Sequence, residues 1–263
     1  MEYEFIYISN FQLFLATLLI LVTGLISAVL KLGLLKPLIW GTLRTFVQLT
    51  LVGYALSYIF SINSIWLTLV LVLIMCCVAA VTAVKSTSHV HNYPVVLAFI
   101  SLAVSTFLTG AIVIGLLISP VPWYSPQVVI PIIGMILGNT MNGIALSLDK
   151  LYSEASTRFE EIEMLLAFGA TPWEAVRDIV RKAIRTGMTP IINSLMVVGI
   201  VNLPGMMTGQ ILAGADPNQA VRYQIIVMLM IAATVAIGCL ILVGLSYRKL
   251  FTKEGYLTRK VLL

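Results

Sequence analysis

The stretch Thr45–Val84, TFVQLTLVGYALSYIFSINSIWLTLVLVLIMCCVAAVTAV, carries no charged side chain from end to end. A membrane-spanning helix needs roughly 20 consecutive apolar residues. This run is far too long for one span, and Ser61-Ile62-Asn63-Ser64 is the natural turn that splits it into two. Reading outward, Phe5 to Leu30 is also free of charge. Across the 263 residues, 60% are hydrophobic and 10% charged, so most of the chain belongs in lipid. Seven spans can be drawn, at about 8–30, 38–60, 65–84, 94–118, 127–148, 187–214 and 223–247. The expectation is an all-α, polytopic membrane protein, with 1–263 forming a single transmembrane domain. The first span is too long, and lacks the basic flank, for a cleaved signal peptide.

Lys and Arg favour the cytoplasmic side of a membrane, so their distribution sets orientation. The N-terminal segment holds only Glu2 and Glu4, and Lys31 and Lys36 follow span one. No basic residue follows span two, Lys85 follows span three, and none follows span four. Arg222 lies in the connection after span six, while Arg248, Lys249, Lys253, Arg259 and Lys260 crowd the tail. The alternation predicts the N-terminus outside and the C-terminus in the cytoplasm of a multi-pass protein of the plasma membrane, the inner membrane in a bacterium. The net charge of +5 is then topology facing lipid headgroups, and nucleic acid is not an expected partner. Cys76, Cys77 and Cys239 fall within spans, where free thiols behave as small hydrophobes.

The one long polar insertion, Asp149 to Arg185, carries six basic and seven acidic residues. Its centre reads Leu165-Leu166-Ala167-Phe168-Gly169-Ala170-Thr171-Pro172-Trp173-Glu174. Gly169 suits the left-handed position just past a helix end. Thr171 can N-cap the next helix, Pro172 fits its first position, and Glu174 completes a capping box. Two helices hinged at one point and projecting into water form a docking surface, which makes 149–186 the cytoplasmic coupling helices.

Enzyme readings are weak. No G-x-x-x-x-G-K-[ST] phosphate loop is present, and none of the eight lysines follows a glycine. His89 and His91 lack further nearby ligands and read as an interface loop. Polar groups inside spans are costly and are functional candidates by default. Arg44 is the clear ionisable case, with Gln48 one turn further on. Arg44 either serves a pathway or snorkels, about 10 Å of helix separating it from the cytoplasmic edge. In span five, Gly134 and Gly138 form a small-xxx-small pair that lets another helix approach. Met135, Asn139 and Asn142 share a neighbouring stripe, and the amides either line a path or bond between helices. Span six is interrupted at Asn202-Leu203-Pro204-Gly205-Met206-Met207, either a structural kink or the broken helix of a transport pathway.

Together these segments resemble the FetB-type permease family, the membrane subunits of an iron-export ABC transporter, a family similar also to plant permeases tied to aluminium tolerance. The likeness is carried by Arg44-x-x-x-Gln48 with Val52-Gly53-Tyr54, and by Val129-Ile130-Pro131-Ile132-x-Gly134-Met135-x-x-Gly138-Asn139. Gly169-Ala170-Thr171-Pro172 and Leu203-Pro204-Gly205-Met206-Met207-Thr208-Gly209 complete it. Glu161 to Ala175 is similar to the EAA-type loop by which ABC permeases contact their ATPases. Members of the family often carry an Asp and a Lys one turn apart after the proline of span six; here Asn193 and Met196 stand in those places.

The resemblance implies a homodimer with two copies of a cytoplasmic ABC ATPase and export of iron or a related metal species. ATP and Mg²⁺ would sit on the partner, with no cofactor and no catalysis in this chain. Coupling would fall to Glu163, Gly169, Ala170, Thr171, Pro172 and Glu174. The substrate pathway would use Arg44, Gln48, Met135, Asn139, Asn142, Asn202, Pro204, Met206 and Met207, with the metal ligands left open. Two alternatives stand: an ABC permease for an organic substrate such as a nucleotide sugar, and a stand-alone channel or secondary carrier. Against the carrier, the spans hold no acidic relay.

Overall fold

The computed structural model describes residues 9–87, 94–252 and 255–258. His89 and His91 lie outside the described residues, as do Glu2, Glu4 and the tail's Lys253, Arg259 and Lys260. The chain divides into two compact units: Met1–Asn63 with Leu212–Gly214, and Ser64–Ile211 with Ala215–Leu263.

The first unit is a helical pair. Helix α1 (Asn10–Val29) starts at a capping box in which the Ser9 hydroxyl accepts from Gln12 N while the Gln12 side chain accepts from Ser9 N. Ser27 Oγ then accepts from Leu34 N at 3.0 Å and ties the connection to α2 (Leu35–Ile62). That helix ends at Asn63, left-handed with φ 48°, inside the expected Ser61–Ser64 turn.

The second unit holds α3 (Ile65–Lys85), α4 (Val95–Ile112) with a π-helical extension (Val113–Ile118), α5 (Pro126–Thr157), α6 (Phe159–Ala167), α7 (Pro172–Val197), all but the last residue of α8 (Gly205–Leu212), and α9 (Pro217–Ser246). A short 3₁₀ turn (Tyr247–Leu250) follows. Helix α5 is the hub, packed against α3, α4, α7 and α9.

Small residues let these backbones approach. An added Cβ on Gly143 would stand 2.8 Å from Val235 Cγ1 and 3.0 Å from the Gly187 carbonyl oxygen. One on Gly187 would collide with Ser147 Oγ and the Gly143 carbonyl oxygen, and one on Gly238 would lie 2.7 Å from Thr140 Cγ2. Three glycines on α5, α7 and α9 therefore set the crossing. The expected pair plays a lesser part within the protomer: Gly134 would meet only the flexible end of Met75, and Gly138 has nothing within 4 Å. Ser101, Ser105 and Thr109 recur every four residues on α4, are buried, and donate to carbonyls one turn back. Thr109 Oγ1 also meets Thr234 Oγ1 of α9 at 2.6 Å, a polar tie inside an apolar core.

Six helices among the described residues are long and apolar enough to cross a membrane. They are α1, α2, α3, α4 with its extension, α5, and α9 with the 3₁₀ turn. The segment 187–214, expected as one span, is the second half of α7, an irregular stretch, and α8. Span five also differs: α5 does not stop near 148 but continues to Thr157. Buried Leu148, Leu151, Tyr152 and Ala155 extend its packed face, and the Lys150–Glu154 pair at 2.8 Å supports its last turns.

Candidate functional site

Helix α7 joins the two features that the sequence singles out. Its 26 residues span about 39 Å, at 1.5 Å per residue, with Pro190 inside the helix near its far end. The hinge lies at its first turn and the break at its last.

Both sides of the hinge are fully capped. Helix α6 closes on a Schellman motif in which Gly169 N donates to the Leu166 carbonyl and Ala170 N to the Leu165 carbonyl, each at 3.0 Å. Gly169 sits at φ +89°, where any side chain is strained. Helix α7 opens on the capping box: Glu174 N donates to Thr171 Oγ1 at 3.3 Å, and Thr171 N donates to Glu174 Oε2 at 2.8 Å. The Thr171 hydroxyl donates to the same carboxylate at 2.7 Å. These bonds, the hydroxyl's first, hold the Glu174 carboxyl below the usual carboxylate range. Arg158 grips Glu161 through Nε, at 2.7 Å, and through Nη2, which lowers the Glu161 carboxyl as well.

Phe168, at the hinge tip, is 84% exposed, and Trp173 packs on Tyr247 with ring centroids 5.4 Å apart. A cleft of about 470 Å³ lies beside the hinge, lined by Glu163, Leu166, Ala170 and Pro172 together with Tyr256 and Leu257 from the chain's end. That end folds back on itself, Thr252 N donating to the Tyr256 carbonyl at 2.8 Å and Thr258 N to the Leu250 carbonyl at 2.7 Å. Three of the expected coupling residues, Glu163, Ala170 and Pro172, thus share a wall with a segment that no motif flagged.

At the other end of α7 the chain turns back on itself. The Val197 carbonyl accepts from Ile200, Val201 and Asn202, while Gly199 (φ +85°) donates to the Asn202 carbonyl at 2.9 Å. Thr208 N and Thr208 Oγ1 both reach the Pro204 carbonyl, which closes the first turn of α8. A cavity of about 510 Å³ opens between this break, α8 and α9, and Pro204 and Met207 are among its lining. Met206 packs against the core, and Asn202 is exposed. The notable side chain is Gln224 of α9, 5% exposed, whose Oε1 has no hydrogen-bond partner. Its only sequence signal is that an amide sits in an otherwise apolar span.

The remaining expected residues lie apart. On α5, Pro131, Met135, Asn139, Asn142 and Leu146 share one side by helical spacing, Met135 half-buried and the others exposed. Asn139 Nδ2 donates to the carbonyl of Met135 on its own helix at 2.9 Å. Arg44 and Gln48 are exposed, one turn apart on α2 in the first unit. Among the described residues no cluster of three or more His, Cys, Asp or Glu side chains stands ready for a metal.

Apolar spans joined by a capped water-side hinge and a broken helix define a multi-pass membrane protein. Residues 10–251 match the model of the Uncharacterised protein family (UPF0014), and the chain belongs to that family. It is 38% identical over 250 residues to the Probable iron export permease protein FetB of Escherichia coli (strain K12), covering 95% of each chain. It is 39% identical over 226 residues to UPF0014 membrane protein slr1647 of Synechocystis, 86% of this chain and 87% of that one. Against Protein ALUMINUM SENSITIVE 3 of Arabidopsis thaliana it is 32% identical over 247 residues, 94% of this chain and 89% of that one. No solved structure matches. The family expected from the motifs of α2, α5, the hinge and the break is thus the family to which the chain belongs.

Proposed function

We propose that this chain is the permease subunit of an ATP-driven exporter of iron or a related metal species. It works as a homodimer with two copies of a separate cytoplasmic ABC ATPase that binds ATP and Mg²⁺. The observation that carries this reading is the continuity of α7 from a rigidly capped hinge to the helix break. Motion imposed on the hinge moves one end of a continuous helix whose other end, past Pro190, lines a cavity. The name of the Escherichia coli relative supplies the metal.

The chain acts as one permease domain that crosses the membrane seven times. The six long helices are joined by a seventh crossing made from the end of α7, the break and α8. On this reading the N-terminus lies outside and the hinge and C-terminus in the cytoplasm, which the alternation of basic connections supports. The exposed side of α5 supports dimerisation. Asn139 and Asn142 facing hydrocarbon would be costly, and Gly138 leaves room for a second copy's helix. The amides then face a shared path. Glu163, Gly169, Ala170, Thr171, Pro172 and Glu174 receive the ATPase. Arg44, Gln48, Met135, Asn139, Asn142, Asn202, Pro204, Met206 and Met207 line or shape the route.

The test is iron uptake into inverted vesicles that contain this chain and its ATPase. Uptake that needs ATP and both proteins is the expected result; ATP-independent uptake by the chain alone would make it a carrier.

A further inference from the structure

We propose that the cleft beside the hinge is a second seat for the ATPase, in which Glu163 and the ring of Tyr256 hold an arginine side chain that the partner brings. The partner's identity rests on the transport reading above. The chain's end thereby joins the hinge in one binding surface.

That end is built as a wall. Leu250 and Leu257 are buried and anchor the turn between them. Gly255 N donates to the Thr252 carbonyl at 3.1 Å, and Tyr256 N to the Thr252 hydroxyl at 3.2 Å. Gly255, at φ +87°, lies against the start of α7, where an added Cβ would stand 3.9 Å from Pro172 Cγ. Held in this way, the turn buries Leu257 and leaves Tyr256 70% exposed at the cleft.

The opposite wall stands in water. Helix α6 carries Glu160, Glu161 and Glu163 within four residues, which hydrocarbon would not tolerate. Lipid therefore does not cover Met164 and Phe168, which adjoin the lining residues Glu163 and Ala167 and are 52% and 84% exposed. Large apolar side chains left bare beside a water-filled cleft mark a protein contact.

Charge selects what enters. Glu163 supplies the only charge among the lining residues. Lys150 and Arg158 engage Glu154 and Glu161, whereas Glu163 enters no ion pair among the described residues. One free carboxylate favours a cation and repels a lipid phosphate or an acidic peptide. Leu166, Ala167 and Pro172 add an apolar floor, and the Tyr256 ring adds a face for stacking. Arginine answers all three features: its stem packs on hydrocarbon, its guanidinium forks onto a carboxylate, and its plane stacks on an aromatic ring. The volume of about 470 Å³ admits that side chain together with the piece of chain that carries it.

The test titrates the full chain in phosphatidylcholine nanodiscs with the ATPase used in the vesicle assay. Tyr256→Ala should weaken binding about tenfold, and Tyr256→Phe by less than about twofold, because the ring and not the hydroxyl holds the cation. Glu163→Gln should weaken binding about tenfold and flatten its dependence on salt, since an ion pair is lost. Glu160→Gln, on the same helix but outside the lining, should change affinity by less than about twofold. All three side chains are exposed, so the melting temperature of the unbound chain should not move.

Full affinity in Tyr256→Ala would overturn the proposal; if Glu163→Gln were still weakened, the hinge would be the only seat and the transport reading would stand. Equal losses in Glu160→Gln and Glu163→Gln would also overturn it, by showing a general need for negative charge in place of a seat. Dimers of the unbound chain in detergent that Tyr256→Ala dissolves would give the cleft to a second copy and remove the ATPase from it. No binding of the ATPase to the unaltered chain would sink the transport reading and this proposal with it.

Discussion

The two ends of α7 are built on opposite plans. At the hinge every turn-making group is satisfied: a Schellman motif closes α6, a reciprocal capping box opens α7, and the carboxylate of Glu174 takes both bonds that Thr171 offers. At the break the chain makes a tight turn, yet beside it remain a cavity and a buried amide oxygen with no partner. The contrast teaches where the molecule is stiff and where it is left open. A fully capped hinge is built to hold its shape; the break, beside a cavity, is not. Helix α7 makes the two ends one device.

The contrast can be broken most severely within that helix. Arg181 is exposed in the middle of α7, so Arg181→Pro disturbs the helix and little else. The change should cost about 3 kcal/mol and lower the melting temperature, while hydrogen exchange quickens along both halves of α7. Unchanged exchange would mean that α7 is not the stiff element.

Next in size is the crossing that anchors the helix. Gly187→Ala pushes a methyl into Ser147 and the Gly143 backbone and should cost about 1–3 kcal/mol by overpacking. Gly138→Ala should not lower the melting temperature of the isolated protomer, because nothing lies within 4 Å of the added methyl and alanine favours a helix interior. Its effect should appear in dimer formation instead. Equal destabilisation by the two variants would remove the distinction between an internal crossing and an outward one.

Smaller again is loss of the cap. Thr171→Ala costs about 1 kcal/mol and should raise amide exchange in the first turn of α7 without disturbing the break. If the residues around Gly199 exchange faster as well, the two ends are less independent than their hydrogen bonds indicate.

The smallest effect is a pH response confined to the hinge. The Glu174 carboxyl lies below its unfolded value, so the support it gives is present above the unfolded pKa of about 4.3 and is lost as pH falls through the lower, folded pKa. Exchange at the Thr171 amide should therefore show added acceleration only in acid, on top of intrinsic chemistry, and Glu174→Gln should flatten it. The break, with no titratable side chain in its cavity wall, should show no such step.

The two ends also differ in how far they could be read from the sequence. The hinge is written in consecutive residues: Gly169, Thr171, Pro172 and Glu174 act on neighbours three to five positions away, so local rules sufficed. The turn at Asn63 was legible for the same reason. The break itself was visible through Pro204 and Gly205, but its cavity was not, because Gln224 reaches it from another helix. Gly143, Gly187 and Gly238 were missed on similar grounds. Each is small because of a backbone met across the fold, and Gly134-x-x-x-Gly138 offered a better local pattern in the same helix. Helix α5 runs past the end of the expected span near 148, because buried Leu151, Tyr152 and Ala155 carry it onward through the charge at Asp149 and Lys150.

The most direct test of α7 as the link between hinge and cavity is iron movement in inverted vesicles that hold the ATPase with either the unaltered chain or Arg181→Pro. ATP hydrolysis by the Arg181→Pro complex should persist, because the hinge proposed to receive the ATPase is intact, while ATP-dependent iron uptake falls to background. Uptake at the unaltered rate by an Arg181→Pro chain inserted at the same level would contradict the account.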